Sequence, residues 1–223
     1  AQLNQMRHAE FGDPEILTRI AQYEMAYRMQ TSVPELTDVS SEPKSVLDLY
    51  GPQVKERGTF AYNCLMARRL VENDIPFVNV SHSNYDTHNE NFDFHLEQMG
   101  EFDRPFATFI NDLAERGMLD STLVVWGGEF GRSPVAENGK GRDHHPKGFT
   151  MWMAGGGIKP GITHGATDEL GYSAVENKVH VHDLNATILH LLGLNHEQLN
   201  YKYQGRRFRL TDVHGNVVKD ILS

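Results

Sequence analysis

Three short apolar runs alternate along this chain with stretches of helical period, and that alternation limits the folds open to it. Phe77-Val78 with Val80 follows Pro76, Leu123 to Trp126 follows a polar turn, and Phe149 to Met153 precedes Gly155-Gly156-Gly157. Such runs are short for helices and rich in β-branched or aromatic side chains, so each predicts a buried strand. Between the first two, Leu96, Met99, Phe102, Phe106, Ile110 and Leu113 recur at three-to-four spacing. They predict one long helix, kinked at Pro105 and ended by Gly117. A last helix is predicted from His182 to Leu192, capped by His182 or Asp183 and closed at Gly193. Strand, helix, strand, strand, helix in this order predicts an α/β fold with a mostly parallel sheet flanked by helices.

Upstream of these elements, Asp13 can cap a helix that Pro14 opens, with Ile16, Ile20, Tyr23 and Tyr27 marking its face to about residue 30. A polar segment from Thr31 to Pro43 interrupts it and serves as the linker candidate, and residues 59–72 again have helical period. The expected organisation is a helical arm or insertion with linker over 1–42 and an α/β domain portion over 43–223. With 223 residues and 39% apolar content, one substantial core is expected. No run approaches the roughly 18 apolar residues of a membrane span, and the first residues lack the basic-then-apolar order of a secretion signal. Thirty acidic against 21 basic residues, with no long basic block, exclude a phosphate-tracking nucleic-acid surface. A single cysteine, Cys64, excludes an internal disulfide framework.

The chain holds twelve histidines, and several lie beside carboxylates in the segments that adjoin the predicted strands. The first run leads into Ser81 to Glu90, where Asp86 and His88 stand two residues apart. The second leads into Gly127-Gly128-Glu129-Phe130-Gly131-Arg132, and Gly141 to Lys147 with His144-His145 precedes the third. Taken singly, each has an ordinary explanation: a turn-stabilising Asp beside a solvated His, a Glu129–Arg132 ion pair, a surface histidine loop. On a parallel sheet the three would open on one side, where ligands bind, so Asp86, His88, Glu129 and His144 are the candidate metal ligands. A mixed His and carboxylate set suits zinc, manganese or iron, and a set richer in oxygen suits calcium or magnesium. Arg132 and Arg142 are the candidate catalytic cations, fitted to clamp an anionic ester, while Lys147 reads as solvated. His180, His182 and His190 are expected to be structural, and His95, His196 and His214 exposed. The basic run Arg206 to Arg209 and the turn at His214-Gly215-Asn216 read as a solvated terminal hairpin.

These residues also carry a resemblance. Glu115 to Trp126 resembles the helix-to-strand passage that leads into a metal-binding Asp-His pair in sulfatases, and Val181 to Gly193 resembles the helix closing the same fold. Tyr85-Asp86-Thr87-His88, Gly127 to Arg132, Arg142-Asp143-His144 with Pro146, and His164 to Glu169 look like a large bacterial family of unknown function. Its members are labelled sulfatase-like and grouped with the alkaline phosphatase superfamily. The resemblance implies the C-terminal half of an alkaline-phosphatase-like domain. Its site would hold one or two divalent ions, zinc, manganese or calcium, that activate a nucleophile and clamp a phosphate or sulfate ester. The substrate would be a small anionic ester or a sulfated polysaccharide.

Carried over by position, Glu129 stands where that superfamily has a metal-binding Asp, His144 where it has a metal-binding His, and Asp86 and His88 in its upstream ligand loop. Phe130 departs from the pattern, standing in place of a paired His, and the nucleophile would lie upstream of residue 1. Cys64 does not replace it: Met66 stands where a sulfatase's modified Cys-x-Pro-x-Arg motif has Pro, although Arg68 is in place, and the helical pattern there predicts a buried structural thiol. Members of the family are often exported, which implies a periplasmic or other exported location. The expected function is metal-dependent hydrolysis of phosphate or sulfate esters; the alternative is a non-catalytic binding or scaffold protein that keeps the fold.

Overall fold

A computed structural model describes residues 14–223, which divide after Val80 into two compact units. The proposed cap at Asp13 lies outside the described residues. The first unit is helical: α1 (Pro14–Thr37), α2 (Lys44–Tyr50) and α3 (Phe60–Glu72), with single 3₁₀ turns at Val39–Ser41 and Pro52–Lys55. α3 begins where the sequence predicts because the Thr59 hydroxyl accepts the Tyr62 N–H at 3.2 Å, satisfying a donor that the first turn leaves free. Tyr50, Val54, Cys64 and Leu65 form the apolar interior. Burial pushes the Cys64 thiol up to about 12, which leaves it a packing group rather than a nucleophile.

Residues 31–43 do not behave as a loose linker. α1 continues through Pro34 to Thr37, and side chains of α3 tie down both its end and the segment up to Glu42. Arg69 Nε donates to the Leu36 carbonyl at 2.8 Å, and the Glu42 carboxylate accepts from Arg68 at 2.7 Å and from Arg69. The Arg68 side chain is only 2% exposed and reaches Glu72 as well, so a charge the apolar face of α3 cannot solvate is neutralised on two sides.

The first predicted strand does not form. Residues 77–80 belong to no strand, and Phe77 is 78% exposed. In the second unit the long helix is present as α4 (Asn91–Glu115), but its buried stripe is Gln98, Phe102, Pro105, Phe109 and Leu113, and Leu96 points to solvent. β1 (Val124–Trp126), β2 (Gly131–Arg132), β3 (His144–His145), β4 (Trp152–Ala154), β5 (Ala166–Thr167) and β6 (Ala174–Glu176) follow. Then come α5 (Val181–Leu191), β7 (Asn200–Tyr203) and β8 (Arg206–Arg209).

The mostly parallel sheet predicted from the element order is overturned, and with it the alkaline-phosphatase-like architecture that the resemblance implies. The strands form four two-stranded ladders, β1–β4, β2–β3, β5–β6 and β7–β8, all antiparallel. Parallel pairing needs a crossover, usually helical, that carries the chain back to its starting edge. Residues 127–151 contain no helix, so β4 returns alongside β1 in the opposite direction, with Trp126 facing Trp152 across the ladder. α5 is capped upstream of either predicted residue: the His180 N–H donates to Asp183 Oδ2 at 3.0 Å, and the His182 N–H donates to His180 Nδ1. His196 is buried against the Thr211 hydroxyl rather than exposed. Among the described residues, no helix is long and apolar enough to cross a membrane.

Candidate metal centre

Two stretches of chain meet to make the site, residues 85–91 and residues 130–145. Backbone pairing joins them: the Arg142 N–H donates to the Thr87 carbonyl at 3.1 Å and the Asn91 N–H to the Lys140 carbonyl at 3.2 Å. Gly141 is what permits the approach. A Cβ at that position would stand 1.8 Å from the His88 carbonyl oxygen, so only glycine lets the two backbones lie this close. Buried Thr87 accepts from the Asn91 side chain, fixing the loop between Asp86 and α4.

β2 and β3 supply the other wall. Arg132 pairs with His144 in the ladder, and successive strand residues face opposite sides. His144 therefore faces Asp86, while His145 turns inward and meets the Tyr172 carbonyl at 2.7 Å. As the ladder partner of His144, Arg132 lies on the site side, and Phe130, in the bend before β2, joins it there. Phe130 stacks on the His144 ring with centroids 4.1 Å apart, and the Arg132 guanidinium lies 5.7 Å from the Phe130 centroid. A residue read as unable to ligate thus holds the plane of one that can.

Three electron-pair donors converge at the mouth. Asp86 Oδ1 lies 2.8 Å from His144 Nε2 and 3.0 Å from His88 Nε2, and the two imidazole nitrogens are 3.1 Å apart. Ligands of a tetrahedral zinc at about 2.0–2.1 Å stand roughly 3.3 Å from one another, so the cluster needs to open by only a few tenths of an ångström. The side chains of Asp86, His88 and His144 are 71%, 35% and 43% exposed, leaving a free side for water or substrate. Arg132 Nη2 also donates to Asp86 Oδ1 at 2.8 Å, and the guanidinium is anchored on the Tyr85 and Arg142 carbonyls. The Arg132 and His144 hydrogen bonds hold the Asp86 carboxyl well below the usual carboxylate range. His88 is shifted the other way, chiefly by Glu137, whose Oε2 lies 2.8 Å from His88 Nδ1.

Asp86, His88 and His144 are brought together, and Glu129 is not among them. It belongs to neither of the two groupings of metal-capable atoms found among the described residues, and it is exposed in the bend after β1. Arg142 also turns aside: its guanidinium lies 5.0 Å from the Phe92 ring centroid and donates to the Gly141 carbonyl. The second grouping contains two residues that sequence reasoning passed over, Glu137 and Asp143, together with His88. Asn138-Gly139 was the available signal, because that dipeptide marks a tight reversal that returns Glu137 toward the histidine loop.

Fold and site together define a protein of a helical unit and an α/β unit, the latter carrying an exposed His–carboxylate centre. The chain belongs to the family described as Protein of unknown function (DUF1501), whose model matches residues 1–222. No curated protein and no solved structure matches it. The expected affinity with sulfatases and the alkaline phosphatase superfamily is thereby corrected: the matching family has no stated function, and no match links the chain to that superfamily.

Proposed function

We propose that Asp86, His88 and His144 form a divalent-cation centre at which the protein hydrolyses phosphate or sulfate esters. The observation that carries this reading is the convergence of three lone-pair donors within 3.1 Å of one another on a face open to solvent. Two nitrogens and one oxygen with an open position fit zinc or manganese; calcium, which takes six to eight oxygens, finds too few here. A bound ion supplies Lewis acidity and lowers the pKa of a bound water toward about 7. Arg132, held beside the cluster by its 2.8 Å bond to Asp86 Oδ1, would offer its charge to the anionic oxygens of the ester. A small ester or the sulfate groups of a polysaccharide meet this chemistry equally.

The second reading, a non-catalytic protein that binds an anionic polysaccharide, is favoured by Phe130, which stacks on the His144 ring and adds no donor to the cluster. Turnover of aryl phosphate and aryl sulfate, with and without added zinc, manganese or calcium, separates the two. Cation-dependent hydrolysis that disappears in His144→Ala supports the hydrolase. Stoichiometric cation binding without turnover of either ester supports the binding protein, and no cation binding removes the hydrolase.

A further inference from the structure

Glu137 meets His88 from the side of the ring that faces away from Asp86 and His144. Its Oε2 is 2.8 Å from His88 Nδ1, while Nε2 of the same ring faces Asp86 Oδ1 at 3.0 Å and His144 Nε2 at 3.1 Å. A neutral imidazole carries one N–H and one lone pair, and an ionised carboxylate only accepts. With a cation taking Nε2, which without one faces the equally accepting Asp86 Oδ1, the hydrogen on His88 belongs on Nδ1, where Glu137 accepts it. We infer that Glu137 is the positioning residue of this centre: it sets the tautomer and ring plane of His88, so that the site takes one divalent cation through Nε2. This rests on the cation reading above and adds the residue and the stoichiometry.

The competing arrangement is a second ion on the far side of the ring. His88, Glu137 and Asp143 do offer one ligand atom each, all within 4.8 Å of one another. An ion there would require Nδ1 to lose its hydrogen, making His88 an imidazolate bridge. Asp143 is moreover engaged, since its Oδ1 accepts the His144 N–H at 2.7 Å and so secures the backbone of β3.

The backbone around Glu137 suits an orienting role. Asn138 and Gly139 both have positive φ, 49° and 84°, and Glu137 and Gly141 exchange backbone hydrogen bonds of 2.9 and 2.8 Å. Gly141, at the far end of this tight turn, is packed on the His88 carbonyl. The carboxylate is thus carried by a short reversal whose other end rests on the residue it orients. Histidine ligands commonly donate their second N–H to such a carboxylate, and losing the partner weakens metal binding about 10–100-fold.

Zinc and cobalt(II) binding by the whole chain, measured by calorimetry and elemental analysis with cobalt absorption as the geometric readout, tests this in wild type, Glu137→Ala, Glu137→Gln and His144→Ala. Circular dichroism confirms that each variant folds. Wild type is expected to bind one equivalent. Glu137→Ala is expected to bind about 10–100-fold more weakly with an altered cobalt spectrum, still saturating at one equivalent. Glu137→Gln is expected to restore most of the affinity and the wild-type spectrum, because its amide oxygen accepts the same Nδ1–H; should the alanine variant not fold, glutamine against wild type still reads the geometry. Two equivalents in wild type, falling to one in Glu137→Ala at unchanged affinity, would make Glu137 a ligand and overturn the inference. Wild-type affinity and spectrum in both Glu137 variants, with binding lost in His144→Ala, would remove Glu137 while leaving the centre. A wild type that binds neither cation would remove the centre itself.

Discussion

In the helical unit, Tyr50 and Leu65 are enclosed and the buried Arg68 is closed off by Glu42 and Glu72. Around the candidate centre of the other unit, the buried residues are Thr87, Asn91, Gly141 and His145, while Val125, Trp126, Phe149 and Trp152 remain exposed. The first region is held by removal of apolar surface from water and by one desolvated charge cluster. The second is held by backbone bonds between loops and by a glycine that lets two chains approach. The two should therefore fail to opposite insults, the helical unit to deletion of a side chain and the centre to its addition.

Glu42→Ala tests the first half of that contrast most severely, since it leaves Arg68 and Arg69 facing an emptied carboxylate position. A loss of about 3–5 kcal/mol in urea unfolding is expected for a buried pair broken on one side. A loss under about 1 kcal/mol would mean that Glu72 alone suffices. The same carboxylate predicts a pH dependence. Burial opposes its ionisation, but the hydrogen bonds from Arg68 and Arg69 prevail and hold it below the usual range. A depressed folded-state value stabilises the fold above the unfolded value of about 4.3, and that stability is lost as pH falls through the folded value. Unfolding curves should thus change little through this group between about pH 7 and pH 5 and weaken below about pH 4, and Glu42→Gln should flatten that dependence.

Leu65→Ala, which empties a fully buried position, is expected to cost about 2–5 kcal/mol by the same measurement. Gly141→Ala sharpens the other half, because one added methyl group must push the His88 carbonyl away. About 1–3 kcal/mol of stability should be lost, together with stoichiometric zinc binding measured by calorimetry. Retained zinc affinity in that variant would show that the loops can separate without disturbing the ligands. His144→Ala sits at the small end for stability, within about 0.5 kcal/mol by thermal melting, because its side chain is largely exposed. Its effect should fall on zinc binding alone, and a large drop in melting temperature would give the histidine a structural role instead.

Helices were legible where period and cap coincide. α3 starts at the hydroxyl of Thr59 as its spacing predicts, and the long helix before Gly117 is present, although the buried stripe passes through Phe109 rather than Leu96 and Ile110. Strand pairing was not legible, since apolar content marks Leu123 to Trp126 as extended without saying which way its neighbour runs. At the centre, carboxylates and imidazoles in short loops nominate Asp86, His88 and His144. All four candidates, Glu129 included, rest on a parallel sheet that does not form, and three of them meet nonetheless; Glu137 carries no such signal because it is a lone acid beside a turn. Its partner, His88, lies in a different loop 49 positions away.

What the sequence determined by itself is local: helix starts, helix periods, tight reversals at glycine, and the donor atoms available at the loops. These depend on interactions between residues a few positions apart. Tertiary structure alone decided the antiparallel ladders, the stacking of Phe130 on His144, and the placing of Glu137 behind His88. Each of those depends on the approach of distant backbones, and for Glu137 and His88 that approach uses the space left by the missing side chain of Gly141.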